Sequence, residues 1–308
     1  MQIITHWKNT QAGCRGASAA MGNFDGIHRG HQAVLEYARR PGLPLGVVTF
    51  EPHPREFFAP DAPPFRLMNA ESRRNRLERL GVDCLFQLPF DGELSGLTPE
   101  EFARDVLAEG LGLRHVVVGE DFCFGKRRAG TAAMLRELGT RFGFEVTLVP
   151  LIGGTEGAFS STAIRQALSD GRPDQAAQML GHRHRIDGEV QHGEKRGREL
   201  GYPTANMALD GLHLPRFGVY AVKVQVMSGE HAGEYDGVAS LGVRPMFGVN
   251  KPNLEVHLFD FNADLYGIHL SVALVDYLRD EENFDSLEAL ITQMDADSAR
   301  ARAILAGL

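Results

Sequence analysis

The stretch GNFDGIHRGH, residues 22–31, joins an apolar run that ends at Met21 to a helical pattern that begins near His31. A strand, a glycine turn and a helix in this order direct free backbone N–H groups and the positive helix end to one point, which binds anions. His28 and His31 are three residues apart and would lie on one side of the first helical turn. Both could donate to phosphate oxygens, and their protonated forms would offset developing negative charge. Two capping or packing histidines are the alternative interpretation.

The first part of the chain, from residue 17 to about 170, alternates short apolar runs with helical patterns. This alternation predicts a parallel sheet with helices packed on it. Thr98 precedes Pro99 and two glutamates and is a candidate helix N-cap. The strand candidates are ASAAMG (17–22), LGVVTF (45–50), CLFQL (84–88), HVVVG (115–119) and FEVTLVP (144–150).

The pattern changes after GHRHR (181–185) to β-type runs separated by glycine-bearing turns. These runs predict an antiparallel sheet or a small barrel. A helical stretch over 286–306 could cover the open side of that sheet with the face formed by Leu287, Leu290, Ile291 and Met294. We therefore predict an α/β chain of two domains, residues 1–182 and 183–308.

The composition is that of an ordinary globular protein, with 308 residues, 43% hydrophobic and 23% charged. A net charge of -8 argues against a nucleic-acid partner, because broad nucleic-acid binding needs a basic face. No apolar stretch approaches the ~18 residues of a membrane span, and no signal-peptide layout is present. Cys14, Cys84 and Cys123 are far apart and form no CxxC, which predicts neither a disulfide nor a zinc site. We expect a cytoplasmic protein without a membrane partner, and leave open whether it forms a homo-oligomer.

A second loop-to-helix junction, SSTAIR (160–165), offers hydroxyl groups and a cation to a phosphate. Ser161 and Thr162 could donate hydrogen bonds to phosphate oxygens, and the Arg165 guanidinium could add two charge-assisted hydrogen bonds. Alone, this segment reads as an ordinary helix N-cap. Together with residues 22–31, it resembles the nucleotidylyltransferases, whose HxGH and SSTxxR-like signatures lie on either side of bound ATP at the carboxyl ends of a parallel sheet. Open α/β sheets bind their ligands at this edge.

Two further loops follow predicted strands. Pro52-His53-Pro54 follows LGVVTF, and its prolines hold the chain extended. The loop after HVVVG offers Asp121 as an acceptor, while Phe122 or Phe124 could cover a flat ring such as an isoalloxazine. Two phenylalanines that anchor the loop in the core are the alternative.

The segment GEVQHGEKRGRELGYPTAN, residues 188–206, combines glycines with a local basic turn. The glycines allow backbone to approach phosphates, and Lys195, Arg196 and Arg198 supply positive charge. A solvated basic turn is the alternative, and the GKS/GKT of a Walker loop is absent. The Thr204 hydroxyl and the Asn206 carbonyl are oxygen ligands suited to Mg²⁺.

The run LEVHLFDF (254–261) alternates apolar residues with Glu255, His257 and Phe259. Alternation sends the two sets to opposite faces of a strand. Glu255 could accept a proton from a primary alcohol that attacks a γ-phosphate. An exposed or salt-bridged glutamate is the alternative.

A set of motifs closely resembles, in order and over roughly residues 17–280, the bacterial bifunctional riboflavin kinase/FMN adenylyltransferase family, also called FAD synthetase. The motifs are GNFDGIHRGH, FEPHP, VVGEDFCFG, FSSTAIR, GRELGYPTAN, GVYAV, LEVHLFDF and DLYG. The resemblance implies an amino-terminal adenylyltransferase domain with a nucleotidylyltransferase-type, Rossmann-like sheet, and a carboxy-terminal riboflavin kinase β-barrel with a terminal helix. It further implies riboflavin, FMN and ATP as substrates, FMN and FAD as products, and Mg²⁺ as cofactor.

The resemblance also assigns roles to residues, with His28, His31 and Glu255 as catalytic. ATP binding for adenylylation falls to Gly22, Phe24, His28, Gly30, His31, Asp121, Ser161, Thr162 and Arg165. Flavin binding there falls to Pro52, His53, Pro54, Phe57, Phe122 and Phe124. In the kinase, ATP binding falls to Gly188, Gly193, Arg198, Gly201, Pro203, Thr204 and Asn206, flavin binding to Glu255 and Arg279, and the metal to Thr204 and Asn206.

Three positions depart from the family pattern: Ser240 where Asn is common, Met246 where Thr is usual, and Thr131 where an acidic residue is frequent. The first two motivate an alternative in which only adenylylation survives and the barrel merely binds flavin. A flavin-sensing regulator without turnover is a third hypothesis.

Overall fold

The computed structural model describes residues 1–151, 153–154, 157–192, 201–246 and 249–308. Its chain divides into two compact units, which we describe separately. The first unit comprises Met1–Pro63 and Arg73–Ser160, and the second comprises Pro64–Ser72 and Ser161–Leu308. No helix within the described ranges is long and apolar enough to cross a membrane.

The first unit is built on a parallel sheet of six strands in the order β1-β4-β3-β2-β5-β8. The strands are β1 (Gln2–Ile4), β2 (Ser18–Met21), β3 (Leu45–Glu51), β4 (Cys84–Pro89), β5 (His115–Gly119) and β8 (Glu145–Val149). Two short hairpins accompany it, β6 (Cys123–Phe124) with β7 (Gly130–Thr131), and β9 (Gly153–Gly154) with β10 (Gly157–Ala158). The central strands are nearly continuous apolar runs because helices cover both faces of the sheet. The predicted parallel sheet is confirmed.

Helices connect the strands and begin at capping side chains. They are α1 (Arg29–Ala38), α2 (Pro54–Phe58), α3 (Ala70–Arg79), α4 (Gly92–Gly96), α5 (Pro99–Glu101) and α6 (Ala132–Phe142). A π-helical segment, Phe102–Gly110, continues α5, and short 3₁₀ turns lie at Trp7–Asn9, Ala12–Cys14 and Lys126–Arg128. The Thr98 hydroxyl accepts from the Glu101 amide at 3.2 Å, so the predicted N-cap is confirmed.

Cys14 and Cys84 form a disulfide with an S–S distance of 2.02 Å, and the prediction of no disulfide is therefore wrong. The two residues are 70 positions apart, and their spacing carries no information about proximity. Pairing of Gln2 with Cys84 brings the chain terminus beside β4, and the 3₁₀ turn that ends at Cys14 then meets this strand. Cys123 is free. Among the described residues, no group of three or more His, Cys, Asp or Glu could hold a metal ion.

His115, at the start of β5, is buried in a polar network away from the glycine loop. Arg40 Nη2 donates to His115 Nε2 at 3.1 Å, so the ring proton lies on Nδ1, which donates to Ser18 Oγ at 2.7 Å. Thr147 Oγ1 lies 2.8 Å from the same Nε2, and Arg40 also pairs with Glu145 at 2.5 Å. Burial and the nearby Arg40 charge lower the pKa of His115 to about 4.

The second unit contains an antiparallel sheet of six strands in the order β11-β16-β13-β14-β15-β12. The strands are β11 (Arg185–Glu189), β12 (Ala205–Ala208), β13 (Gly218–Val226), β14 (Gly233–Met246), β15 (Val249–Leu258) and β16 (His269–Arg279). The Gln191 amide donates to the Asn206 carbonyl at 2.8 Å, which links the two edges and nearly closes a barrel. The predicted antiparallel barrel-like sheet is confirmed.

The described part of the second unit also contains the helices α7 (Ser161–Ser169), α8 (Pro173–Leu180) and α9 (Leu287–Ala306). The last helix packs on the outer face of the barrel with the predicted side, but mainly through its C-terminal turns. Its buried residues are Asp297, Ala301 and Leu305, whereas Leu287, which lies on the same face about five turns before Leu305, is 53% exposed. Arg279 of β16 pairs with Asp297 on this buried side of the helix, with Nη2 2.8 Å from Oδ2.

Candidate active sites

The glycine loop holds His28 and His31 against each other between β2 and α1. His28 is the N-cap of α1, and its Nδ1 accepts from the His31 amide at 3.3 Å. The two rings stack with centroids 3.7 Å apart, and the ring of Phe24 lies 4.9 Å from that of His31. Because His28 Nδ1 is an acceptor, the proton of its neutral ring lies on Nε2, which is a donor for a phosphate oxygen.

Both histidines are neutral near pH 7, which differs from the protonated forms considered from the sequence. Burial lowers the pKa of His28 to about 4. Burial, and then repulsion from His28, lowers the pKa of His31 well below its usual value. His31 is half-buried as a whole, yet its Nδ1 is fully enclosed and has no hydrogen-bond partner among the described residues. An enclosed imidazole nitrogen without a partner fits a site that a polar ligand completes.

Gly30 permits the close contact of the His28 ring with α1. A Cβ at this position would lie 3.0 Å from His28 Cε1 and 3.1 Å from Nδ1, closer than ordinary van der Waals contact. Gly22 is less constrained, since a Cβ there would meet only Phe24 Cε2 at 3.6 Å. Any larger residue at position 30 therefore displaces the histidine.

The loop after β5 leaves the same sheet edge as the glycine loop, because β2 and β5 are adjacent and parallel. Asp121 is exposed, and its Oδ1 lies 2.9 Å from where a Cβ on Gly119 would be. Phe124 is 6% exposed and belongs to the core of the unit, while Phe122 is half-buried with its ring 5.9 Å away. This burial favours the core-anchor interpretation for Phe124.

The loop after β3 presents aromatic rings to solvent. His53 caps α2, with Nδ1 accepting from the Arg55 amide at 3.0 Å, and Pro54 is the first helical residue. Phe57 is 38% exposed and Phe58 is 68% exposed, and both rings contact that of Phe90 edge-on, with centroids 5.5 and 5.7 Å away. Sequence reasoning missed Phe58 and Phe90, for which the Phe-Phe pair beside two prolines was the available signal.

Ser161, Thr162 and Arg165 lie in α7 and belong to the second unit, whereas the two histidines belong to the first. Arg165 Nε donates to the Phe65 carbonyl at 2.5 Å, and its guanidinium lies 5.3 Å from the Phe65 ring. Ser161 is half-buried and Thr162 is exposed.

In the barrel, one row of paired residues crosses five strands on the outer face. Residues paired directly across strands share a face. Asn206 pairs with Glu255, Glu255 with Ser240, Ser240 with Val219, and Val219 with Arg279. The opposite face carries Leu254, Val256 and Leu258 into the barrel core, so the predicted alternation of β15 is confirmed.

Comparison with known proteins decides the family. Residues 10–163 match the family model of FAD synthetase, and residues 180–305 match that of riboflavin kinase. A protein of Pseudomonas fluorescens named bifunctional riboflavin kinase/FMN adenylyltransferase is 43% identical over 99% of this chain and 98% of its own. An Escherichia coli (strain K12) protein of the same name is 40% identical over 98% of this chain and 97% of its own. The chain belongs to the bifunctional riboflavin kinase/FMN adenylyltransferase family.

A solved structure shares the overall fold. The crystal structure of a Streptococcus pneumoniae protein described as a macrolide-efflux protein has a TM-score of 0.84, with 35% identity and coverage of 98% of both chains. The membership of this chain in the riboflavin kinase/FMN adenylyltransferase family rests on the two family models and on full-length sequence similarity, and the solved structure shows that the whole fold is shared.

Within this family assignment, Asn206 is well placed as an oxygen ligand. It is 8% exposed, and its Oδ1 accepts from Asn253 Nδ2 at 2.9 Å, which orients the amide. Thr204, two residues earlier, is half-buried. A hydroxyl and a carbonyl oxygen are the hard ligands that Mg²⁺ prefers, so the residues present fit this ion.

Arg279, predicted to bind flavin, is engaged with α9. Its Nε lies 3.0 and 2.9 Å from the two carboxylate oxygens of Asp297, its Nη2 donates to Asp297 Oδ2 at 2.8 Å, and its Nη1 donates to the Asp280 carbonyl at 3.0 Å. Asp297 also accepts from Gln293 at 2.9 Å. These bonds make Arg279 an anchor of the terminal helix at the end of the row that also contains Glu255.

The structure describes only some of the remaining residues that the resemblance assigns to the kinase. Gly188 lies in β11, and Gly201 has a left-handed φ of 80° with open space around it. Gly193 and Arg198 lie outside the described residues. Of the departures from the family pattern, Ser240 sits directly beside Glu255, and Met246 pairs in register with Val249.

Proposed function

We propose that the chain makes FAD from riboflavin in two ATP-dependent steps at two separate sites. The ribityl hydroxyl of riboflavin first takes the γ-phosphoryl group of one ATP, giving FMN and ADP. The FMN phosphate then attacks the α-phosphorus of a second ATP, giving FAD and pyrophosphate. The observation that carries this proposal is the full-length similarity to bifunctional enzymes, together with the glycine loop of the first unit and the pairing of Asn206 with Glu255 in the second.

For the adenylyl transfer, we assign His28 and His31 to the ATP phosphates. Neutral, enclosed imidazoles donate hydrogen bonds that are strong because little water competes with them. Further ATP contacts fall to Gly22, Phe24, Gly30, Asp121, Ser161, Thr162 and Arg165. Flavin contacts fall to Pro52, His53, Pro54, Phe57 and Phe122, of which Phe57 is 38% exposed, whereas the buried Phe124 supports the loop from the core.

For the phosphoryl transfer, we assign Glu255 as the base that takes the proton of the attacking hydroxyl. Thr204 and Asn206 would hold Mg²⁺, which neutralises charge on the nucleotide phosphates. The direct pairing of Asn206 with Glu255 supports this assignment, because it sets a metal ligand beside the base on one face. Nucleotide contacts also fall to Gly188, Gly193, Arg198, Gly201 and Pro203, and a flavin contact falls to Arg279.

Three further expectations belong to this proposal. A domain boundary after residue 182 is supported by the riboflavin kinase match, which begins at residue 180, although α7 and α8 group with the second unit by compactness. A cytoplasmic location and assembly into a homo-oligomer stay predictions.

The decisive experiment incubates the protein with riboflavin, ATP and Mg²⁺ and separates the flavins. Formation of neither FMN nor FAD contradicts the proposal. FAD from supplied FMN, but not from riboflavin, would favour the adenylyltransferase-only alternative that Ser240 and Met246 motivate.

Paired variants separate the two sites. We expect the double change His28→Ala and His31→Ala to stop FAD formation while FMN accumulates. We expect Glu255→Ala to stop FMN formation while FMN-fed FAD synthesis survives. Loss of both activities in either variant, with circular dichroism unchanged, would refute independent sites.

A further inference from the structure

His257 lies on the same strand and the same face as Glu255, two residues later. It pairs with Val238 of β14, and Phe259, two residues later on the same face, packs against α9. The side chain of His257 therefore projects to the face that carries the kinase residues and not into the barrel core. The proposed phosphoryl transfer gives this histidine no role.

His257 is hydrogen-bonded to the loop that leads into β12. Its Nδ1 lies 2.9 Å from the Pro203 carbonyl. A carbonyl oxygen only accepts, so the imidazole carries its proton on Nδ1 and donates it. Pro203 has no N–H of its own, which makes its carbonyl the one backbone hydrogen-bonding group at this residue. Thr204, the next residue, carries the hydroxyl assigned to Mg²⁺.

The same loop is held from a second side by α9. Tyr202 donates its hydroxyl to the Asp295 carboxylate, and its ring lies 4.9 Å from the ring of His257. The loop residues before Thr204 are thus fixed between the strand that bears Glu255 and the terminal helix. A shift of the Pro203 carbonyl would carry the Thr204 hydroxyl with it, because the two atoms belong to adjacent residues.

We propose that His257 is a positioning residue of the kinase site, whose Nδ1–H fixes the Pro203 carbonyl and so sets the Thr204 hydroxyl for the Mg²⁺–nucleotide. This inference rests on the proposed roles of Thr204, Asn206 and Glu255. His257 touches no reacting atom and acts through the loop. Its contribution is to the affinity for the metal complex, since a misplaced ligand weakens binding before it affects the base.

A set of variants distinguishes this role from simple ring packing. Asn places an amide N–H at the δ position where His257 has its donor, whereas Gln places its amide one carbon farther out and Phe has no donor. With free Mg²⁺ varied at fixed ATP, we expect His257→Gln and His257→Phe to raise the Mg²⁺ concentration for half-maximal FMN formation about ten-fold. We expect His257→Asn to stay within about two-fold of the parent. FAD formation from supplied FMN is the internal control and should not change.

A second measurement needs neither metal nor turnover. Nitrogen NMR of the histidine-labelled, metal-free protein, with His257→Asn used to assign the signal, should show the proton of the His257 ring on Nδ1. A proton on Nε2 overturns the inference. So does an unchanged Mg²⁺ dependence in the Gln and Phe variants, or an equal defect in the Asn variant, which would indicate packing alone. If the parent protein itself forms no FMN, the proposed function fails instead.

Discussion

Replacing Gly30 by alanine should slow FAD formation while leaving the free energy of unfolding of the first unit almost unchanged. The new Cβ would lie 3.0 Å from His28 Cε1 and 3.1 Å from Nδ1, so the ring must move by a few tenths of an ångström. The next nearest atom among the described residues is the Phe159 carbonyl oxygen at 3.6 Å, an ordinary contact. The displacement therefore falls on the stacked histidine pair and on little else.

The expected size of each effect follows from this geometry. A misplacement of 1 Å costs on the order of 10²-fold in rate, so a few tenths of an ångström should slow FAD formation from FMN about 4- to 10-fold. Weakening the capping hydrogen bond from the His31 amide to His28 Nδ1 should lower the free energy of unfolding by up to about 1 kcal/mol. Alanine in place of glycine within a helix should raise it by up to about 1 kcal/mol. The free energy of unfolding should consequently change by less than about 0.5 kcal/mol.

The assay compares FAD formation from FMN with FMN formation from riboflavin in the same preparation. Gly92→Ala is the matched control, because Gly92 also lies in the first turn of a helix but has no atom within 4 Å of the added Cβ. Urea unfolding followed by fluorescence of Trp7, the one tryptophan, reports on the first unit. Equal FAD formation in the two variants, or a parallel loss of FMN formation in Gly30→Ala, would refute the reasoning.

Other parts of the structure give further expectations. His115 has a pKa of about 4 in the fold and about 6.5 when unfolded, so it should contribute a fall in unfolding free energy of up to about 1.4 kcal/mol per pH unit between these values as pH drops. His28 and His31 contribute in the same direction, so His115→Gln should make the slope shallower by this amount in Trp7-monitored urea titrations without abolishing it. Cys14→Ser opens a covalent loop of 70 residues, which should cost about 4 kcal/mol of stability, and reductant should then have no further effect. Asp297→Asn deprives Arg279 of a buried counter-charge and should cost about 3 kcal/mol, seen as faster hydrogen exchange in the terminal helix.

The pattern of apolar and polar residues predicted the features that depend on residues close together along the chain. The alternation of β15 placed Leu254 inside and Glu255 outside because strand side chains must alternate. The parallel sheet followed from the same logic, since strands buried on both faces read as continuous apolar runs. Thr98 was predictable as a cap because its Glu partner stands three residues later.

Features that depend on residues distant in sequence were not predictable in this way. The contact of Cys14 with Cys84 depends on β1 joining the sheet at β4, which no local pattern encodes. Leu287 and Leu305 lie on one face of the terminal helix about five turns apart, yet only Leu305 is buried, because the barrel residues that cover this face, Val219 and Phe259 among them, pack against its C-terminal turns. Apolar periodicity indicates which side of a helix is buried, but not which of its turns meet the sheet.

The protonation of the histidine pair shows how burial changes the chemistry that a motif suggests. Two histidines three residues apart suggest two cations for a phosphate. Stacking at 3.7 Å in an enclosed loop makes the protonated forms unfavourable, because each would lose hydration and repel the other. The pair is therefore better described as two oriented N–H donors, His28 through Nε2. In the proposed role at the ATP phosphates, such donors would need no reorganisation when charge develops, so the packing that opposes a charged ring in the free protein would also favour transition-state stabilisation.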